Sequence, residues 1–86
     1  MSQHSVKLFA LSTCSHCRNA RRLLDDNGYD YECIEVDLTA GDERDAVVEE
    51  VRSYNPKLSF PTMVIDGGDR VIVGYKENEI REALGL

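Results

Sequence analysis

Cys14-Ser15-His16-Cys17 sets two thiols three residues apart, between an apolar run (Val6-Lys7-Leu8-Phe9-Ala10-Leu11) and a run with helical periodicity that begins near Ser15. On a helix, positions i and i+3 share a face, which brings two thiols within the reach a disulfide requires. The first turn also leaves N–H groups unpaired and carries the positive end of the helix dipole, so a thiolate is favoured at the first cysteine. The thiolate is the nucleophilic form. A strand followed by a helix that opens on CxxC therefore points to a redox pair. A zinc site would need further ligands, and only Cys33, His4 and His16 remain, with no second pair at ligand spacing. An inert buried pair is the structural alternative.

The 86 residues leave room for one domain, expected to span 1–86. A domain this small buries only about 60% of the surface its unfolded chain exposes, so each core side chain counts. No apolar stretch approaches the ~20 residues of a membrane span. The opening Met1-Ser2-Gln3-His4-Ser5 has no charged segment leading into an apolar one, and no secretory leader is expected. Three cysteines, an odd number, do not make a disulfide framework, and a reducing cytoplasm is the expected location. The net charge of −6 argues against nucleic acid as a partner. Residues 25–50 hold eleven carboxylates against the single Arg44, whereas Arg18, Arg21 and Arg22 follow the cysteine pair. This pattern reads as a solvated acidic face or, alternatively, as arginines near the redox end that steer an acidic partner.

Val6 to Leu11 predicts a buried strand. Ser15 to Asn27 predicts a helix, with Cys17, Ala20, Leu23 and Leu24 inward and Gly28 as its stop. Tyr31 to Val36 reads as a strand, and Asp42 to Tyr54 as a helix burying Val47, Val48, Val51 and Tyr54. Asp42, Glu43 and Asp45 complement its dipole, and Asn55-Pro56 ends it. Thr62-Met63-Val64-Ile65 and Arg70-Val71-Ile72-Val73 read as strands joined by the glycine turn Asp66-Gly67-Gly68-Asp69. Lys76 to Leu84 closes the chain as a helix with Ile80, Ala83 and Leu84 inward. Cys33, mid-strand, reads as a small buried hydrophobe, with regulatory oxidation as the alternative. The order is β-α-β-α-β-β-α, an α/β chain.

That order, with CxxC opening the first helix and Pro61 just before the third strand, resembles the thioredoxin fold in its minimal form. More narrowly it resembles glutaredoxins and the glutaredoxin-like NrdH-type redoxins, from Val6 to Leu84. Cys14-Ser15-His16-Cys17, Phe60-Pro61-Thr62 and Gly74-Tyr75-Lys76 carry the resemblance. It implies a four-stranded mixed sheet and a dithiol-disulfide oxidoreductase. Cys14 matches the exposed nucleophile and Cys17 the more buried resolving cysteine. Pro61 matches a cis-proline facing the disulfide across a groove, a minority state for an X–Pro bond; a trans proline opening an edge strand is the alternative. Phe60 would pair its backbone with an extended substrate, Gly74 and Tyr75 would line the other wall, and Thr13 would join the substrate-binding set. Tyr75 alone also reads as a half-buried aromatic.

Ser15 and His16 are expected to tune the pair. Serine replaces the rigid proline common at that position. A cationic His16 is disfavoured near a helix N-terminus by roughly 0.3–1 kcal/mol, whereas a thiolate ~4 Å away favours it by about 1–4 kcal/mol. The expectation is that His16 depresses the apparent pKa of Cys14 through coupled titration; a solvent-facing ring with little influence is the alternative.

Two departures bear on the electron donor. Leu11 stands three positions before Cys14, where glutathione-using members carry a basic residue. Gly74-Tyr75-Lys76-Glu77-Asn78 replaces their Gly-Gly-x-Asp-Asp loop and is closer to the Gly-Phe-Arg-Pro-Asp of NrdH-type redoxins. A lost charge-assisted contact is worth ~1.5–3 kcal/mol. Charge supplied from elsewhere, by Lys57 or Lys76, is the alternative. The expected partners are protein or small-molecule disulfides, with glutathione or a thioredoxin-reductase-like flavoprotein as donor, and the expected state is a monomer. No tightly bound cofactor, metal, nucleic acid or membrane is expected. The alternative function is a carrier of a 2Fe–2S cluster held between two subunits, with Cys14 as protein ligand and glutathione completing the set. An interaction module with a vestigial CxxC is the third reading.

Overall fold

The apolar run ahead of the cysteines forms β1 (Val6–Ala10), a central strand with neighbours on both edges. Successive side chains of a strand point to opposite faces, so Val6 and Leu8 enter one core and Phe9 the other. The computed structural model describes residues 3–86; Met1 and Ser2, part of the leader reading, lie outside them.

α1 (Ser15–Asp26) buries Cys17, Ala20, Leu23 and Leu24, the stripe its sequence spacing gives. Gly28, at φ +64°, closes it: its N–H reaches the Asp25 carbonyl at 3.0 Å and the next N–H, from Tyr29, reaches Leu24 at 2.9 Å, the paired bonds of a Schellman stop. β2 (Glu32–Glu35) lies parallel to β1 with Cys33 beside Leu8. It is shorter than its β-rich sequence suggests, because Val36 turns into the second core and opens a 3₁₀ turn over Val36–Leu38. The Thr39 hydroxyl fixes that turn on the Val36 carbonyl at 2.7 Å.

α2 (Gly41–Tyr54) fully buries only Val51; Val47, Val48 and Tyr54, expected to be buried, are half-buried. The reason is packing: α2 covers its face of the sheet alone, so its flanks stay open, while α1 and α3 (Glu77–Leu84) share the opposite face. Ile80 and Leu84 are buried there and Ala83 is half-buried. β3 (Thr62–Ile65) pairs antiparallel with β1, and β4 (Arg70–Val73) antiparallel with β3. The sheet is mixed, in the order β2-β1-β3-β4. No helix among the described residues is long and apolar enough to cross a membrane.

The register fixes what meets at one edge. Phe9 opposes Thr62 and Thr62 opposes Val73. The end of β1, the start of β3 and the end of β4 therefore lie side by side, and the cysteine loop, Phe60-Pro61 and Gly74-Tyr75 issue from the same end of the sheet.

Candidate active site

Cys14 is the residue that caps α1. Its backbone is extended (φ −91°, ψ 122°) and its Sγ accepts the Cys17 N–H at 3.4 Å, the place where a serine or aspartate oxygen ordinarily sits. One turn later Cys17 faces the core and is 1% exposed. Its Sγ accepts the Leu11 N–H at 3.4 Å, which ties the resolving position to the end of β1. The loop closes with Cys14 N–H on the Leu11 carbonyl at 3.2 Å.

The two thiols are electrostatically unlike. Partial burial alone would raise Cys14. The Cys17 thiol, the backbone N–H groups of Cys17 and His16, and the Arg18 guanidinium outweigh it and hold Cys14 below its ordinary value. Burial pushes Cys17 up to about 12; the Leu11 N–H opposes the rise and Cys14 adds to it. The half-buried Cys33 thiol is raised by burial against the pull of Arg21, which disfavours the thiolate that oxidation needs.

Across the groove the Phe60–Pro61 bond is cis. Pro61 is buried, and its carbonyl accepts the Gly74 N–H at 2.8 Å, so the two predicted walls are joined directly. Phe60 packs half-buried against the α2-side core and Tyr75 against the α1/α3-side core. The Tyr75 hydroxyl reaches Glu77 at 3.4 Å; burial and Glu77 raise it, against Arg81 and Arg22. Thr13, Ser15 and His16 are exposed. Among the described residues no side-chain hydrogen bond ties these three to the other candidates, and no three His, Cys, Asp or Glu side chains converge to hold a metal. A surface depression of about 790 Å³ lies at the other end of β1, lined by residues 3–7 and 30–32, and contains no cysteine.

Two supporting residues escape a reading of the sequence. Asp37, in the 3₁₀ turn, accepts the Ser12 N–H at 2.9 Å and also the Ser12 hydroxyl, while Arg44 holds its carbonyl at 3.0 Å. The Ser12 hydroxyl and N–H keep the Asp37 carboxyl below the usual range. Asn55, 4% exposed, donates to the Ser59 carbonyl at 3.0 Å and to the Thr62 hydroxyl at 3.1 Å and accepts the Lys57 N–H at 3.2 Å. It thereby shapes the loop that carries Phe60-Pro61. A polar residue just past an element, as at Val36-Asp37 or Tyr54-Asn55, is the only local hint of either.

The glutaredoxin family model matches residues 6–70. The chain belongs to the glutaredoxin family. The crystal structure of a glutaredoxin from Methanosarcina mazei Go1 is 44% identical, with a TM-score of 0.86, over 100% of this chain and 85% of that one. That of Methanosarcina acetivorans methanoredoxin is 39% identical, with a TM-score of 0.92, over 98% and 87%. Glutaredoxin 1 of Rickettsia prowazekii (strain Madrid E) is 26% identical over 83 residues, 94% of this chain and 87% of that protein. Glutaredoxin membership implies thiol-disulfide oxidoreductase chemistry at the general level, and Cys14 and Cys17 are the neighbouring thiols available for it. The mixed four-stranded sheet with three helices is the thioredoxin-like architecture the sequence resemblance implies.

Proposed function

We propose that this chain is a dithiol-disulfide oxidoreductase in which Cys14 attacks and Cys17 resolves. The reading rests on one observation: two thiols one helical turn apart, the outer held below its ordinary value and the inner pushed up to about 12. The Cys14 thiolate attacks one sulfur of a substrate disulfide and the other sulfur leaves as a thiolate that takes a proton from water. Capping Cys14 removes its charge and its hydrogen bond from Cys17, two of the four causes that raise the inner thiol, and leaves burial and the influence of Cys33. Cys17 then gives up its proton more readily, attacks Cys14 Sγ and expels the reduced substrate. Two electrons pass from the dithiol to the substrate, and two must be returned by glutathione or by a flavoprotein reductase.

Phe60, Pro61, Gly74, Tyr75 and Thr13 form the substrate groove in this reading, and Ser15 and His16 adjust the thiolate. The substrates are protein or small-molecule disulfides, met by a cytoplasmic monomer without a tightly bound cofactor. Leu11 offers no charge to a glutathione carboxylate. Lys57 is exposed, and Lys76 has Glu79 at 3.9 Å. No observation favours the cluster-carrier alternative.

The test is turnover of a small disulfide by the reduced chain, supplied either with glutathione and its reductase or with thioredoxin reductase. Cys14→Ser should abolish turnover with both donors, and Cys17→Ser should accumulate a Cys14 mixed disulfide visible by mass. Unchanged turnover in Cys14→Ser would sink the proposal.

A further inference from the structure

The ion pairs of this chain leave a gap beside the thiols. It carries 16 acidic residues against 10 basic ones. In such an excess of carboxylate, a cation finds a partner easily. Arg21 lies 3.8 Å from Glu35, Arg52 3.1 Å from Glu49, Arg70 3.6 Å from Glu82 and Arg81 2.9 Å from Glu77. Lys7 and Lys76 are paired as well, and Arg44 donates to the Asp37 carbonyl. Among the described residues Arg18, Arg22, Arg44 and Lys57 have no ion pair, and of these Arg18 and Arg22 share α1 with the cysteines. Both arginines are exposed.

Their placement is ordered. Arg18 is four residues from Cys14 and Arg22 eight, so the three lie on one face of α1 at steps of about 6 Å. Arg18 is among the charges that lower the Cys14 thiol, and Arg22 among those that oppose the rise of the Tyr75 hydroxyl. They line a depression of about 320 Å³ with Arg21, Asp25 and Asp26. Asp25 there is engaged by the Tyr31 hydroxyl at 2.9 Å. Asp26, one turn beyond Arg22 on the same row, is in no ion pair among the described residues.

We infer that this strip of α1 docks an acidic segment of a protein substrate, an extended chain with carboxylates two and four residues from the cysteine under attack. The inference rests on the disulfide-exchange reading above and names the substrate class for it. Same-side residues of an extended chain recur every ~6.6–6.8 Å, close to the helical step of about 6 Å. A substrate sulfur at Cys14 therefore brings those two carboxylates over Arg18 and Arg22, where the planar guanidinium suits bidentate pairing. The roughly 12 Å from Cys14 to Arg22 spans about four extended residues, more than a small thiol presents. The acidic run of α2 lies on the other face of the sheet and orients such a partner toward the arginines.

The test uses mixed disulfides of small peptides with a simple thiol: Cys-Ala-Glu-Ala-Glu, its reversed sequence, versions with either Glu replaced by Gln, and versions with either Glu replaced by Lys. With the full reduced chain at about 0.02 M salt, kcat/KM for one of the two Glu peptides should exceed its Gln version by about 3- to 10-fold. The gap should close near 0.5 M salt. Arg22→Glu should erase the preference at the fourth position only and favour Lys there; Arg18→Glu, which also withdraws a charge that supports the Cys14 thiolate, should slow every peptide and, in the Glu-to-Gln ratio, erase the preference at the second position. Equal turnover of Glu and Gln peptides by the unmodified chain overturns this inference alone. Failure to reduce any of the disulfides overturns the exchange reading beneath it.

Discussion

The side-chain amide of Asn55 donates to the hydroxyl of Thr62 at 3.1 Å, and the two residues bracket the loop that carries Phe60-Pro61. Thr62 in turn donates to the Ser59 carbonyl at 2.7 Å, so a closed set of hydrogen bonds around buried Asn55 and Thr62 fixes one wall of the groove. Asn55→Ala removes the donor from the buried Thr62 hydroxyl and one of the two donors to the Ser59 carbonyl. A loss of roughly 1–3 kcal/mol is expected, measured by the denaturant midpoint at constant slope. Turnover of a peptide disulfide should fall more than turnover of a small one, because the loop and not the thiol is disturbed.

The unlike thiols give stability a sign that changes with pH. Cys17 keeps its proton in the folded chain, whereas in the unfolded chain it ionises near the ordinary thiol value of about 8.5. Its contribution is therefore fully present below about 8.5 and is lost as pH rises toward about 12. Cys14 behaves oppositely: its contribution is present above the ordinary value and is lost as pH falls through its lowered one. Reduced Cys17→Ser should show a flatter stability profile than the parent above pH ~9. Cys14→Ser should lack the rise that precedes it. Urea titrations at a series of pH values measure both.

Asp37 acts on the site only through Ser12, two residues ahead of Cys14. Asp37→Ala should slow exchange, by less than the roughly 100-fold that a 1 Å misplacement can produce. Asp37→Asn, which keeps one acceptor, should recover part of the rate. Because Ser12 holds the carboxyl low, the tether should persist well into the acid range and fail only as pH falls below the usual carboxylate range. The readout is the rate of Cys14 alkylation corrected for its thiolate fraction. A purely structural role would shift the melting midpoint and leave that rate unmoved.

At the hairpin, Gly68 adopts φ +117° and a Cβ there would meet the Tyr54 ring at 3.0 Å. Gly68→Ala should lower stability by roughly 1–3 kcal/mol, a fall in Tm of at least about 4 °C for a domain of this size. Gly67→Ala, with open space around its Cβ, should be milder. Paired thermal melts separate the contact from the backbone preference.

From His16 it is the backbone N–H that supports the Cys14 thiolate in this structure. If the exposed ring also contributes, His16→Ala should move the pH profile of Cys14 alkylation upward. Arg18→Ala should move it in the same direction. An unmoved profile in His16→Ala would retire the proposed role of the imidazole.

The order of elements was legible because periodicity and punctuation agree along this chain. The stripe Cys17, Ala20, Leu23, Leu24 with Gly28 as stop is local information, and so is the turn at residues 66–69. The pair Cys14 and Cys17 was legible for the same reason: a helix start three residues long fixes their separation without help from the rest of the chain. Val47, Val48 and Tyr54 were misjudged because periodicity tells which face of α2 turns inward and not how much sheet or neighbouring helix is there to cover it.

The amino-acid sequence by itself determined where a thiol meets a helix start and which residues alternate into the sheet, since both follow from short-range geometry. Only the tertiary structure decided that Leu11 would hydrogen-bond Cys17, that Asp37 would hold Ser12 and that Asn55 would order the loop before β3. Those contacts join residues through strand register and packing, with no period of their own to betray them. The difference between the two thiols has the same origin, because burial and hydrogen bonding, which chain folding distributes, separate one cysteine from the other.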